Sequence, residues 1–293
     1  MSQNIFKEEY KMELLTTGYG LIEGPTWWDS HGLLFSDVIN GGVYLLGSEN
    51  EIEVILEHRK GIGGIVLHEK NGIVVGGRNL SYKSFKGDSS RILLDVDVTK
   101  EAVGFNDFTT DNMGRIYAGS LGFVVFDGGD PKPGHLHMID LDGSIHTLSD
   151  GVMLTNGLGF SPDNKKLFHS DARGGVVRVY DVLDDGKLSS WKPFVYTKDG
   201  HADGLAIAAD GSIWIAMAYG SRVDVFEQDG KLRQSIPVPL PMVTSVCFGG
   251  EDLCDLYVVT GSRGGPSENC GSIYKVRVDV PGLPIKKAKV KLD

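Results

Sequence analysis

Residues 156–171 read Asn-Gly-Leu-Gly-Phe-Ser-Pro-Asp-Asn-Lys-Lys-Leu-Phe-His-Ser-Asp. Two short apolar runs flank Ser161-Pro-Asp-Asn, where Pro presets φ and Asp and Asn bond their own backbone, so the stretch reads as a β-hairpin. The second run recurs along the chain as Gly32-Leu-Leu-Phe-Ser-Asp, Gly72-Ile-Val-Val-Gly-Gly, Gly114-Arg-Ile-Tyr-Ala-Gly, Gly211-Ser-Ile-Trp-Ile-Ala and Asp255-Leu-Tyr-Val-Val-Thr. The central residues Phe35, Val75, Tyr117, Phe168, Trp214 and Tyr257 lie about 40 to 51 residues apart, the length of one propeller blade. The first run recurs too, opening at Glu23, Gly63, Asn106, Asn156, Asp203 and Thr244. A third strand follows in most units, as in Val176-Val-Arg-Val-Tyr-Asp, and a fourth is visible in several, as in Glu51 to Leu56.

Four strands repeated six times describe an all-β fold, a six-bladed β-propeller with four-stranded blades and a central metal channel. The regular repeat argues against a β-sandwich or barrel. A ring cannot be divided without opening its core, so residues 1–293 are expected to form one domain. The stretch Lys11 to Thr16 has no unit of its own and is expected to supply the outer strand of the last blade, removing a free edge. Ser262 to Gly271 reads as a loop near one mouth.

With 40 Gly, 11 Pro and a formal net charge of −10, the 293-residue chain suits many short strands joined by turns and disfavours a nucleic-acid partner. The short basic stretch Lys286 to Lys291 reads as a solvated terminus. Cys247, Cys254 and Cys270 lack CxxC spacing and read as free thiols of a reducing compartment. Met1 to Leu15 is charged throughout, unlike a signal peptide, and no apolar run approaches the roughly 18 residues of a membrane span. The expectation is a cytoplasmic protein with no membrane contact, a monomer or small homo-oligomer.

The first strand of each blade lines the channel, so the six opening residues ring it at about one height. Glu23, Asn106, Asn156 and Asp203 carry carboxylate or amide oxygens there. Any one of them could cap a turn. Four at one repeat phase point instead to a hard or borderline divalent cation, with room left for water and a substrate oxygen. Around this set, Asp107 is placed to orient Asn106, His201 to reach the channel mouth, and Tyr219 and Arg78 to touch substrate. His135 and His137 share a strand face without a third ligand, so a zinc site there is disfavoured. His169 and Asp171 share a face suited to strand packing or a place at the rim. Ser161 lacks the GxSxG elbow of a serine hydrolase, and Gly61-Ile-Gly-Gly lacks the ending of a phosphate loop.

The motifs Glu23-Gly-Pro-Thr-Trp, Asn106-Asp-Phe-Thr-Thr-Asp-Asn-Met-Gly-Arg, Asn156-Gly-Leu-Gly-Phe-Ser-Pro-Asp, Asp203-Gly-Leu-Ala-Ile and Thr244-Ser-Val-Cys-Phe-Gly-Gly together resemble the SMP-30 (regucalcin) and gluconolactonase family of six-bladed propeller lactonases. The resemblance covers nearly the full chain. It implies that Glu23, Asn156 and Asp203 bind one divalent metal, calcium or zinc, with manganese, magnesium or ferrous iron as further candidates. It implicates Asp203 as base or nucleophile, and Asn106 in contact with metal or substrate. Two departures stand out. Gly104 occupies the place of an arginine and Val124 falls near that of a glutamate, both of which grip a sugar acid in the SMP-30 type. A less polar lactone, or a sugar held by other residues, would suit this chain.

The chemistry implied is hydrolysis of a lactone or similar ester, with the metal polarising the carbonyl and Asp203 activating water. Direct attack by Asp203 on the substrate, forming a covalent intermediate, is the alternative route. A phosphotriesterase or fluorophosphatase would use the same oxygens, and a non-catalytic propeller binding calcium or a protein partner is the rival from a different class.

Overall fold

The computed structural model describes residues 10–98, 101–126 and 130–293. Among them the regular elements are strands, apart from one short 3-10 turn at Val96–Val98. No helix there is long and apolar enough to cross a membrane.

Four separate sheets each contain four antiparallel strands in sequence order. The first runs Ile22–Trp28, Gly32–Asp37, Val43–Leu46, Ile52–Leu56. The others begin at Ile65–His68, Gly104–Thr110 and Thr155–Phe160. Six separate four-stranded sheets were expected, and here the structure differs: the remaining eight strands form a single sheet. One half is His201–Ile207 followed by Ile213–Ala218, Arg222–Phe226 and Leu232–Pro237. The other is Met242–Gly249, Asp255–Gly261, Gly271–Arg277 and the N-terminal strand Glu13–Tyr19, which pairs antiparallel with Gly271–Arg277. A single pair, Ala218 with Met242, joins the halves. The cause is local. Val238 N donates to Ser221 O at 2.8 Å and Ser221 N to Pro241 O at 3.3 Å, which draws the connecting segment against the turn after Ala218.

The innermost strands lie one against the next around an axis, and Met242–Gly249 lies against Ile22–Trp28 to complete the circuit. The burial pattern explains the order of strands within a sheet. Second strands such as Ile213–Ala218 are buried on both faces, whereas outer strands such as Ile52–Leu56 are largely exposed. The repeat residues Phe35, Tyr117, Phe168, Trp214 and Tyr257 are the wedges between neighbouring sheets. Tyr117 packs with Leu158, Phe160 and Leu167, and Trp214 lies edge-on to Phe248 at 5.3 Å. Cys247, Cys254 and Cys270 are free thiols.

The C-terminal tail is not the solvated terminus expected from its lysines. It crosses one end of the ring, where Leu283 N donates to Ile207 O, Ala288 N to Leu67 O, Lys289 N to Gly114 O and Lys291 N to Leu141 O. Ala288 and Val290 are 0% and 1% exposed while Lys287, Lys289 and Lys291 around them face solvent, an alternation that an extended segment on an apolar floor produces. The tail thus fastens several sheets at once. Deleting residues 287–293 is expected to remove about 2 kcal/mol, mainly the burial of Val290, and to lower Tm by about 5 °C in calorimetry. An unchanged Tm would show that the strap carries no load.

Candidate metal and active site

A bulge opens the inner strands where the polar residues sit. Pairing slips between Glu23 and Thr26, Phe105 and Phe108, Thr155 and Leu158, Ala202 and Leu205, and Val243 and Ser245. Ile65–His68 pairs without a slip. A bulge leaves residues off the ladder and re-aims their side chains, which here frees Asn106, Asn156 and Asp203 to turn toward the axis, while Glu23 stays paired with Ser36 at the edge of its bulge. The glycines at the openings of these strands follow from crowding around that axis. A methyl group on Gly157 would collide with Leu205 N, one on Gly204 with Ser245 Oγ, and one on Gly63 with Asn106 Oδ1. Thr244, the sixth opening residue, does not line the cavity; its hydroxyl proton is directed to the neighbouring carbonyls Ile22 O at 2.6 Å and Val259 O at 3.1 Å.

Glu23, Asn106, Asn156, Asp203, His201 and Tyr219 line one cavity of about 600 Å3, so six of the residues named from sequence meet there. Two do not. Asp107 lines a second space of about 230 Å3 farther along the same strands, closed by the tail at Leu283 to Lys287. Arg78 is exposed and lines neither. The walls of the main cavity are mostly apolar, with Leu21, Val38, Met153, Leu154 and Met242 among them. Tyr219 holds a left-handed backbone, φ 62°, unusual outside glycine and maintained here by the tight turn after Ala218. His201 Nδ1 donates to Ala172 O at 3.2 Å, and its ring stands perpendicular to that of Tyr219 at 6.4 Å.

Glu23, Asn156 and Asp203 are buried at the cavity floor, between 7% and 8% exposed. Burial first, and then the charges of Asp203 and Asp107, push the Glu23 carboxyl well above the usual carboxylate range. Burial and Asp107 do the same to Asp203. Burial alone lifts Asp107 to about 7. Asp203 Oδ1 has no hydrogen-bond partner although it is buried, an expensive arrangement unless something positive meets it. Asn156 Oδ1 accepts from Asn106 Nδ2 at 2.8 Å and keeps a second lone pair. Asn106 Nδ2 also donates to Thr155 O at 2.8 Å, so this amide fixes the neighbouring strand and its asparagine together.

This donor set fits a hard divalent cation: oxygen throughout, two carboxylates to balance the charge, and one of their oxygens uncommitted. No three His, Cys, Asp or Glu side chains converge as a metal cluster among the described residues, so any cation here would also need the amides or water. His135 and His137 accordingly gain no third ligand. His137 is structural, its ring between Thr147 Oγ1 and Ser120 Oγ, with burial lowering it to about 4.

Sequence reading missed the anchors of the site. Asp37 accepts from the backbone N–H groups of Gly20, Leu21, Ile39 and Asn40, which sets the lead into Glu23. Asp171 accepts from Met153, Leu154 and Gly174 N–H and pairs with Arg178 at 2.7 Å, which sets the lead into Asn156. The signal was present as Ser36-Asp37 and Ser170-Asp171 closing two equivalent strands. Also missed were Arg173 and Arg263, the cations of the cavity lining.

A ring of antiparallel sheets with its polar side chains gathered at an axial cavity is a β-propeller. Within that class, the chain belongs to the SMP-30/Gluconolactonase/LRE-like family, whose pattern matches residues 21–262. It is 29% identical over 271 residues to the 6-deoxy-6-sulfogluconolactonase of Pseudomonas putida, covering 89% of this chain and 92% of that protein. It is 28% identical over 294 residues to the pentonolactonase XacC of Haloferax volcanii, covering 95% and 98%. Among solved structures, a luciferin-regenerating enzyme superposes with a TM-score of 0.86 at 24% identity, covering 96% of this chain and 100% of that one, which is a likeness of fold.

Proposed function

We propose that this protein is a divalent-metal-dependent lactonase of sugar lactones or less polar relatives, working at the floor of the axial cavity. The observation that carries the reading is Asp203, buried beside Glu23 and Asn156 with one carboxylate oxygen unpartnered. Kinship with proteins named for lactone hydrolysis supports the reaction class. The eight-stranded sheet is read as two blades joined by the Ala218–Met242 pair, giving a single six-bladed domain closed by the N-terminal strand.

Glu23, Asn156 and Asp203 would hold the cation, and the absence of imidazole or thiolate from this set favours calcium, magnesium or manganese over zinc. When bound, a divalent cation supplies Lewis-acid polarisation of the lactone carbonyl and balances the charge of the addition intermediate. Asp203 takes the proton of the attacking water as its oxygen bonds to the carbonyl carbon. The ring C–O bond then breaks, and the leaving oxygen receives that proton to give the hydroxy acid. Asn106 acts by positioning, since its amide holds Asn156 and the Thr155 carbonyl in place. His201 and Tyr219 at the cavity edge orient the ring, and the apolar walls limit stray water.

The test is proton release from a panel of lactones and phosphoesters before and after EDTA, with calcium, magnesium, manganese or zinc added back. Lactone hydrolysis lost on chelation and restored by one ion is expected. A protein that opens no lactone with any of these ions is not a lactonase, and turnover of the phosphoesters alone would assign the site to phosphoester chemistry.

A further inference from the structure

We infer that Arg173 and Arg263 form an anion-binding rim, and that the substrate is a lactone carrying a fixed anionic group remote from its carbonyl. The inference rests on the hydrolytic reading of the floor and adds what the mouth selects. The chain has ten more acidic than basic groups, and five of its ten arginines are paired with carboxylates. Arg115, Arg178, Arg222, Arg233 and Arg277 each hold a carboxylate. Arg173 and Arg263 have no carboxylate partner among the described residues, yet both line the one cavity that contains Glu23, Asn156 and Asp203.

Their placement is built rather than incidental. The guanidinium of Arg173 lies 4.9 Å from the centre of the Phe123 ring, and that of Arg263 lies 4.2 Å from the centre of Phe126. Stacking on an aromatic face restrains the guanidinium while leaving its in-plane N–H donors free for a carboxylate, phosphate or sulfonate. Both loops are pinned. Asp171 Oδ1 accepts from Gly174 N at 2.9 Å just after Arg173. Ser262, just before Arg263, donates from N to Gly20 O at 2.9 Å and from Oγ to Tyr19 O at 2.8 Å. Two cations at the rim and two carboxylates at the floor make the cavity bipolar. A neutral, hydroxyl-rich lactone leaves the rim unanswered and meets mostly apolar walls. An anionic lactone answers the rim while its carbonyl reaches the floor.

The experiment compares one neutral aldonolactone with the same ring carrying a terminal carboxylate, phosphate or sulfonate, for wild type, Arg173→Gln and Arg263→Gln. In parallel, calorimetry measures binding of the ring-opened dicarboxylate to each protein. Wild type is expected to favour at least one anionic ring about tenfold in kcat/KM, and each variant to lose most of that preference through KM. Dicarboxylate binding is expected to weaken about tenfold in either variant. Arg173→Lys restores part of the preference, as a charged residue that cannot fork would. Equal use of neutral and anionic rings, or variants whose preference stays within twofold of wild type, overturns the rim. Arginine-dependent dicarboxylate binding without turnover of any lactone overturns the hydrolytic reading and leaves the rim standing. Absence of both overturns both.

Discussion

Asp203→Asn is expected to lower kcat about a thousandfold, roughly 4 kcal/mol of barrier, with the fold intact. The amide matches the carboxylate in size but cannot take a proton from water and withdraws one of the floor's two charges. The stability of the same variant gives a second, opposite signature. Burial, and then the charge of Asp107, raise the Asp203 carboxyl, and burial with its neighbours raises Glu23. Each group therefore keeps its proton in the folded chain at pH values where the unfolded chain has released it. For such groups stability falls as pH rises from the ordinary carboxylate range through the raised value. In EDTA, wild-type Tm is expected to decline across that window, and Asp203→Asn to decline less and to exceed wild type at the alkaline end. Adding calcium is expected to raise the wild-type Tm and to leave the variant nearly unmoved. Calorimetry across pH with and without the ion reads all of this. Wild-type turnover in the variant, or a metal-free Tm that climbs with pH, would remove Asp203 from the role assigned.

Asp171→Ala is expected to be the most destabilising change away from the floor, at about 3–5 kcal/mol. Asp171 and Arg178 are both buried, and their 2.7 Å pair stands beside the backbone N–H groups of Met153, Leu154 and Gly174. Alanine leaves the Arg178 cation buried without its counter-charge and three donors without an acceptor, penalties that arise from what remains rather than from what is removed. Tm is expected to fall by about 10 °C. Activity is expected to fall as well, because the same carboxylate orders the approach to Asn156 and the turn bearing Arg173. A double change to Asp171→Leu and Arg178→Met separates the two effects: much of the stability returns and the activity does not. A loss below about 1 kcal/mol in Asp171→Ala would mean that Asp171 is not the anchor of this corner.

The repeat and the polar floor were legible in the sequence because both are local. Phe35, Tyr117, Phe168 and Trp214 stand at one phase of a recurring strand, and each strand must bury them whatever its neighbour is. Glu23, Asn106, Asn156 and Asp203 open the inner strands, and any arrangement that rings those strands brings them together. What chain order could not convey depends on which surfaces of different sheets come to face each other. Asp107 follows Asn106 directly, yet the bulge turns it toward the other end of the channel. Arg78 and Arg173 follow second strands alike, but only the loop of Arg173 reaches the cavity. The lysine-rich tail looked like a free end because its two buried residues, Ala288 and Val290, find their apolar floor only once the sheets are assembled. Strand pattern and residue chemistry thus set the ring and its floor. The rim, the anchors and the strap were decided by tertiary contact, since burial and pairing of a charge depend on neighbours distant in the chain.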